Sequence, residues 1–512
     1  MYIRPYERFC NFQKKQPMKA KLYTILLTIL IISCNIKKEI PADIEFTILP
    51  NLKDSIPNVE VNFDYKSDKN GLITLRYENN SWGDNDVFNC IHDLQLLPKP
   101  ENIEFNRDSS LIMIKTKPNL LSSISYKIIQ DYKGLPLNQF RYRPMMDKNY
   151  FHLLGMRLFM IPEGIFESDS SKAKIKISYQ SKSDEDIFHS SFGKESVQNI
   201  EVNRDDLYGS FFVGGNYRRY SFRYDNDSIY FITRGNWKTF TDQDILNQLK
   251  QTISSQRKFW NDPRKGNFSV SLTPTYETWY SIGGSGFSNS FVSFASNNEK
   301  VTLVQMKWLY NHELLHKWIS RTIINENEVE QYWFSEGFTD YYAYKLMLKN
   351  DYLDVPEYVK ILNHEVIIPH YKDPVNSIPN SELTFEKYWS NYAKYMKLPY
   401  RRGLLYAFLI DNQIKKQSNY SQSLDNLMID LFQLSLNDAS LRLNQKVFIQ
   451  NLFKYLNHSE VESDFERYIL DGNLIDFQDE LPDGLSIEYQ NNIPLIKLDS
   501  EGISDLGKKL KL

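Results

Sequence analysis

Two histidines four residues apart, with a glutamate next to the first, carry the clearest chemistry in this chain: His312-Glu313-Leu314-Leu315-His316. On a helix, residues four apart share a face, so both imidazoles can reach one ion at a nitrogen–metal distance of about 2.0–2.1 Å. Glu313 then stands beside the open coordination position, where it can take a proton from an attacking water. Val301, Val304, Trp308, Leu315 and Ile319 form an apolar stripe that supports a helix here. The bland alternative is a structural helix with two solvated histidines, but the chain holds only eight histidines in all. A second segment, Trp333-Phe334-Ser335-Glu336-Gly337-Phe338-Thr339-Asp340-Tyr341-Tyr342, opens another helix, with Glu336 twenty residues after His316. A two-histidine site needs a third protein ligand if one position is to stay open for water, and Glu336 is placed to supply it. Asp340, one turn further on, could accept a hydrogen bond from the free ring nitrogen of His312. The pattern predicts one Zn2+ per chain on His312, His316 and Glu336, with Glu313 as the base.

These segments resemble the gluzincin metallopeptidases, and the Trp-Phe-Ser-Glu-Gly-Phe-Thr-x-Tyr-Tyr string is most similar to the glycyl aminopeptidase family. The resemblance spans roughly residues 45–490. It implies a β-domain ahead of a thermolysin-like catalytic domain, a zinc cofactor and a peptide or protein substrate. A PDZ domain often follows in that family, and no segment of that size is expected here after Gln490. Tyr400-Arg401-Arg402-Gly403 is similar to the Tyr-x-Lys-Gly motif of the aminopeptidase gluzincins, whose tyrosine stabilises the tetrahedral oxyanion. A phenol donor suits that task because its hydrogen bond strengthens as charge develops on the carbonyl oxygen. Asp411 and Arg401 are left open between substrate positioning and packing.

The chain departs from the family at one place. Aminopeptidases of this kind carry a Gly-Gly-Leu-Glu-His or Gly-Ala-Met-Glu-Asn loop whose glutamate holds the substrate's α-amino group. The matching stretch is Ile282-Gly283-Gly284-Ser285-Gly286-Phe287-Ser288-Asn289-Ser290, and Gly286 stands where that glutamate would be. Losing a charge partner for the amine should cost an exopeptidase about 2–5 kcal/mol in recognition and an endopeptidase nothing. Gly283, Gly284 and Gly286 could still offer a backbone edge to an extended peptide, or form only a surface loop. The expected reaction is therefore peptide-bond hydrolysis. Its rivals are an aminopeptidase with a different amine anchor and a non-catalytic surface binding protein that keeps the fold, although the latter has no need of Glu313.

The elements that must position these residues divide the chain into an α+β arrangement. Period-two runs such as Val59–Phe63, Leu72–Leu75, Leu111–Ile114 and Ile175–Ser178 predict an antiparallel β-sandwich over residues 34–204. A mostly helical catalytic domain with a helical C-terminal lobe is expected over 205–490, and a short charged tail over 491–512. Within it, Ile229–Thr233 and Phe268–Leu272 read as strands, Asp242–Trp260 as an amphipathic helix capped by Thr241, and the glycine-serine stretch as a loop.

Composition sets outer limits. The 512 residues are 41% hydrophobic and 24% charged, which is globular. With 61 basic and 64 acidic residues the chain lacks the basic face of a nucleic-acid binder, so no nucleic-acid partner is expected. Three cysteines exclude a disulfide scaffold, and a mean hydropathy of −0.49 excludes a multi-span membrane protein. Cys90 reads as a buried small hydrophobe. At the front, Met18, Lys19 and Lys21 precede an apolar run from Leu22 to Ser33, too short to span a bilayer but matching a secretory leader. It ends Ile31-Ile32-Ser33-Cys34, which resembles the lipobox of bacterial lipoproteins. This implies a signal peptide over 1–33 with its start at Met18, a lipidated Cys34, and an envelope protein tied to a membrane by its N-terminal lipid, facing the periplasm or the cell surface. The leader holds six basic residues and one acidic, so the remainder stands at −8.

Overall fold

The computed structural model describes residues 41–512 except 169, 182–185, 265, 500–502 and 512, so the leader and Cys34 lie outside the described residues. Among those described, no helix is long and apolar enough to cross a membrane.

The alternating runs form strands because every second side chain can be buried on one face. A six-stranded sheet runs in the order Val197–Val202, Ala173–Tyr179, Ile44–Asn51, Asn58–Lys66, Leu121–Ile128 and Ile91–Leu97. A four-stranded sheet runs Ile161–Pro162, Leu72–Arg76, Leu111–Lys115, Asn102–Asn106. Phe46, Val59 and Val61 from the first share one core with Leu75, Ile112 and Ile114 from the second, and Cys90 is buried among them. The sandwich is not wholly antiparallel. Ile44–Asn51 runs parallel to Ala173–Tyr179, with Ile44 opposite Ile175, because the chain between them crosses over instead of turning back. A third sheet, Ile187–Ser190, Phe211–Gly215, Tyr150–Leu154 and Met145–Met146, carries the N-terminal pairing past residue 204 to Gly215. Tyr150–Leu154 and Phe211–Gly215 are buried throughout, since this sheet joins the sandwich to the second part of the chain; the His152 ring lies 5.2 Å from that of Phe294.

That second part starts on a five-stranded sheet ordered Arg218–Tyr224, Asp227–Thr233, Phe268–Thr275, Ser290–Ser296, Ile282–Gly286. Helix Asp242–Trp260 follows its expected limits, and Thr241 and Asp244 close its first turn with a reciprocal capping box. The glycine-serine stretch is not a loop. It is the antiparallel edge strand Ile282–Gly286, with Gly284 opposite Ser293. A side chain at Gly284 would meet the Phe291 ring at 2.3 Å and the Val292 carbonyl at 2.5 Å, so glycine lets this strand lie flat on its neighbour.

Beyond residue 300 the chain is mostly helical. The first histidine lies at the end of helix Leu303–Glu313, and the backbone then tightens into the 3₁₀ turn Leu314–Lys317 that carries the second. The predicted stripe fails at Val304, which is 61% exposed; Met306, Leu309 and Tyr310 are the buried face. The last segment is no detached tail. Strands Leu485–Gln490 and Ile493–Leu498 form a hairpin, and helix Ile503–Lys511 buries Leu506 and Leu510 in the same core as Trp333, Phe338 and Leu405. Asp411 and Arg401 serve packing. Asp411 is fully buried between Lys345 at 3.1 Å and Lys415 at 2.8 Å, and Arg401 pairs with Asp373 at 3.2 Å.

Two glycines set the spacing of the helices that bear the site. Helix Gly337–Lys349 crosses helix Leu398–Gln417 where Gly337 faces Gly403. A Cβ on Gly403 would lie 1.8 Å from the Trp333 carbonyl oxygen, and one on Gly337 would lie 2.4 Å from Gly403 Cα. Gly403→Ala is therefore expected to cost about 1–3 kcal/mol in unfolding free energy, measured by chemical denaturation. Gly507→Ala is the contrasting control. It lies in the C-terminal helix, where an added Cβ meets only Val355 at 3.7 Å, and should be neutral or stabilising by up to about 1 kcal/mol.

Candidate metal centre

The structure brings His312, His316 and Glu336 together. His312 Nε2 and His316 Nε2 are 3.2 Å apart, and Glu336 Oε2 lies 3.3 Å from the first and 3.6 Å from the second. Glu336 sits at the junction between the short helix Tyr332–Ser335 and helix Gly337–Lys349.

Hydrogen bonds on the far side of each ring decide what these atoms present. His312 Nδ1 lies 2.8 Å from Asp340 Oδ1, a carboxylate oxygen that also accepts the Trp308 indole at 3.0 Å. His316 Nδ1 faces the Ile319 carbonyl at 3.3 Å and the Ser320 hydroxyl at 3.2 Å. With Nδ1 donating in both rings, each Nε2 carries a lone pair toward the other. Glu336 Oε2, although buried, has no hydrogen-bond donor. In these tautomers three acceptors converge, an arrangement that a metal ion, or in its place a proton on His312, relieves. Ligands about 2.0–2.1 Å from a tetrahedral ion stand about 3.3 Å apart, so the observed triangle fits zinc with three protein ligands and one open position. The protein charge already favours a cation here. Despite burial, Asp340 and Glu336 push His312 up to about 10, and His316 and His312 hold Glu336 well below the usual carboxylate range.

Glu313 lies beside this triangle. Burial raises its carboxyl above the ordinary value, against the pull of His312, His316 and Arg141. Tyr400, in the first turn of helix Leu398–Gln417, stacks its ring on His312 with centroids 5.8 Å apart. Burial, together with Glu336 and Glu313, pushes its phenol well above its usual value, so it remains a protonated donor. The glycine strand runs along the same site: a Cβ on Gly286 would stand 3.7 Å from the Glu313 carbonyl oxygen, and one on Gly283 would stand 3.5 Å from Asn138 Nδ2. Gly284 instead faces into the sheet.

Several groups at the site have no signal in the sequence. Trp308 reads as part of an apolar stripe, yet its indole supports Asp340. Ser320 reaches His316 from a left-handed backbone position, φ 87°, that no local pattern announces. Asn138, Arg141 and Tyr142 come from the N-terminal segment, where no catalytic cluster is visible in the sequence; Tyr142 Oη lies 2.6 Å from Ser285 Oγ on the edge strand.

With this geometry in place, solved structures give the fold. The crystal structure of an aminopeptidase N family protein from Idiomarina loihiensis aligns over 87% of this chain and 79% of its own, at 16% identity and a TM-score of 0.69. The chain shares that fold. More distant likenesses are to an M1 zinc metallopeptidase from Deinococcus radiodurans, at 11% identity over 85% of this chain and 94% of that one, TM-score 0.48, and to yeast LTA4 hydrolase, at 14% identity over 88% and 72%, TM-score 0.45. No protein-family model matches the chain, and no curated protein matches it.

Zinc added to metal-free protein is expected to bind one ion per chain and to raise the melting temperature. His312→Ala should abolish both effects. Asp340→Asn should weaken zinc binding about 10–100-fold, measured against a competing chelator, because His312 loses the acceptor that fixes its ring.

Proposed function

We propose that this chain is a zinc-dependent peptidase that hydrolyses a peptide bond in a segment extended along the strand Ile282–Gly286. The observation that carries the reading is the convergence of the buried Glu336 Oε2 with two imidazole nitrogens at 3.3 and 3.6 Å, with Glu313 beside them. Zinc bound there would supply Lewis acidity, activating water and polarising the scissile carbonyl. The protein's own groups do the rest. Glu313 takes the proton from the attacking water and delivers it to the leaving nitrogen. Its raised carboxyl suits that exchange, since a base works best with a pKa near the working pH. Tyr400, held protonated, donates to the carbonyl oxygen as that oxygen becomes charged. The edge strand offers main-chain groups to an extended peptide, as strand addition requires.

The same strand favours cleavage within chains over trimming from the amino end. Gly286 brings no carboxylate, and its carbonyl accepts a hydrogen bond from Arg321. The nearest acid before the strand, Glu277, is buried and accepts the Asn138 amide. The likeness to an aminopeptidase N family protein supports the second reading, an exopeptidase with another amine anchor. The Trp333–Tyr342 string supports a place near the glycyl aminopeptidases among the gluzincins. The run Leu22–Cys34 supports a lipoprotein working in the bacterial envelope.

Glu313→Gln is expected to lower kcat by about 10²–10⁴-fold while one zinc per chain remains bound, measured by peptide cleavage and metal analysis. An N-acetylated peptide should be cleaved at least as well as its free-amine twin. A clear preference for the free amine would move the assignment to the exopeptidase, and full activity in Glu313→Gln would reject both.

A further inference from the structure

The peptide channel carries cations where an amine-reading peptidase needs anions. Arg141, from the turn after Asn138–Phe140, is held at both ends by groups fixed to the glycine strand. Its Nη1 donates to the Asn138 carbonyl at 3.1 Å, and its guanidinium carbon lies 4.5 Å from the Tyr142 ring centre. Asn138 in turn donates to Ser281 Oγ at 2.7 Å, and Tyr142 Oη meets Ser285 Oγ at 2.6 Å, so both anchors grip the strand that borders the site. The Arg141 Nε is buried with no acceptor. The acids nearby are already used, since Arg143 pairs with Asp84 at 3.4 Å and with Asp131. Among the described residues Arg141 forms no ion pair, yet its charge is felt by Glu313 on one side and by Tyr392 on the other.

Two further cations flank the same space. Lys397 Nζ lies 4.8 Å over the Tyr400 ring and 5.5 Å over the Trp308 ring. Arg321 lies 5.9 Å over the Phe287 ring and donates to the Gly286 carbonyl. Neither forms an ion pair among the described residues. Glu313, Glu336 and Asp340 belong to the metal centre, while Asp205 and Asp206 lie close enough to act on Arg321, so among the described residues Arg141 is the cation with no acid of its own beside the strand.

We infer that Arg141 is a specificity residue that receives a carboxylate of the bound peptide, so that the preferred substrates are acidic at a position close to the scissile bond. A guanidinium, planar and carrying several N–H donors, matches a carboxylate in a way that the point charge of a lysine could not reproduce. The inference rests on the peptidase reading for where the peptide lies. The carboxylate could be an Asp or Glu side chain or the peptide's own C-terminus, and the two sources share one chemistry.

The test uses N-acetylated peptides in matched pairs, Glu against Gln at each position around the cleaved bond, and free against amidated C-terminus. Binding to full-length Glu313→Gln protein is followed by fluorescence anisotropy, and cleavage by the zinc-loaded wild type. One arm should show at least about a tenfold preference for the carboxylate form, because a built polar site rejects the isostere that leaves it unpaired. The arm that discriminates names the source. Arg141→Gln in the same background should bring the ratio near one, and Arg141→Glu should reverse it toward Lys-containing peptides, which misfolding cannot do. If Arg141 only tuned Glu313, both members of each pair would change together and the ratio would hold; that result, or no preference in either arm, overturns the inference. If acidic peptides bind in an Arg141-dependent way but the wild type cleaves none, the peptidase reading fails and the carboxylate site stands.

Discussion

Everything at this site hangs on how closely two helices approach. The helix that starts behind Glu336 and the one that carries Tyr400 in its first turn meet backbone to backbone at Gly337 and Gly403, where a single methyl group would stand 1.8 Å from the Trp333 carbonyl. That contact fixes Glu336 and Tyr400 relative to each other, because each lies within three residues of the crossing. Around it, Trp333, Phe338, Tyr406 and Phe448 pack with ring centroids 5.1–6.2 Å apart, filling the space a looser crossing would leave. A few tenths of an ångström lost here would open the triangle of donors, since the separations that suit zinc leave little slack.

The convergence of these side chains is legible in the sequence almost whole, for a physical reason. Ligands four apart on a helix, and a third on the next helix, encode their geometry in spacing, so His312, His316, Glu336, Asp340 and Glu313 can be read directly. Even so, the local form differs: His316 lies on a 3₁₀ turn, and its ring is aimed by Ser320, whose left-handed backbone has no spacing signature. The sandwich strands are legible from period two, but not the parallel pairing of Ile44–Asn51 with Ala173–Tyr179, which depends on contacts distant in sequence. The glycine strand reads as a loop because glycine and serine lack β propensity. Tertiary packing against Phe291 makes it a strand, and that cannot be seen locally. Arg141 and Tyr142 are invisible as site residues because the third sheet carries the fold of the first domain against the second, and a one-dimensional pattern says nothing about which loop lands on which site.

Under the peptidase reading, the missing glutamate and the arginine at the glycine strand would act on the same ligand. A peptidase that reads a free α-amine must keep an unpaired carboxylate in its channel, and that carboxylate would also repel acidic residues of the peptide. Here Gly286 removes that charge, while Arg141 places the opposite one against the same strand. Neither change is informative alone: a lost glutamate could reflect drift, and an arginine near a channel could be packing. Taken together they are what favours the inferred preference for a peptide carboxylate over a free amine, with the triangle of His312, His316 and Glu336, Glu313 and Tyr400 left in place.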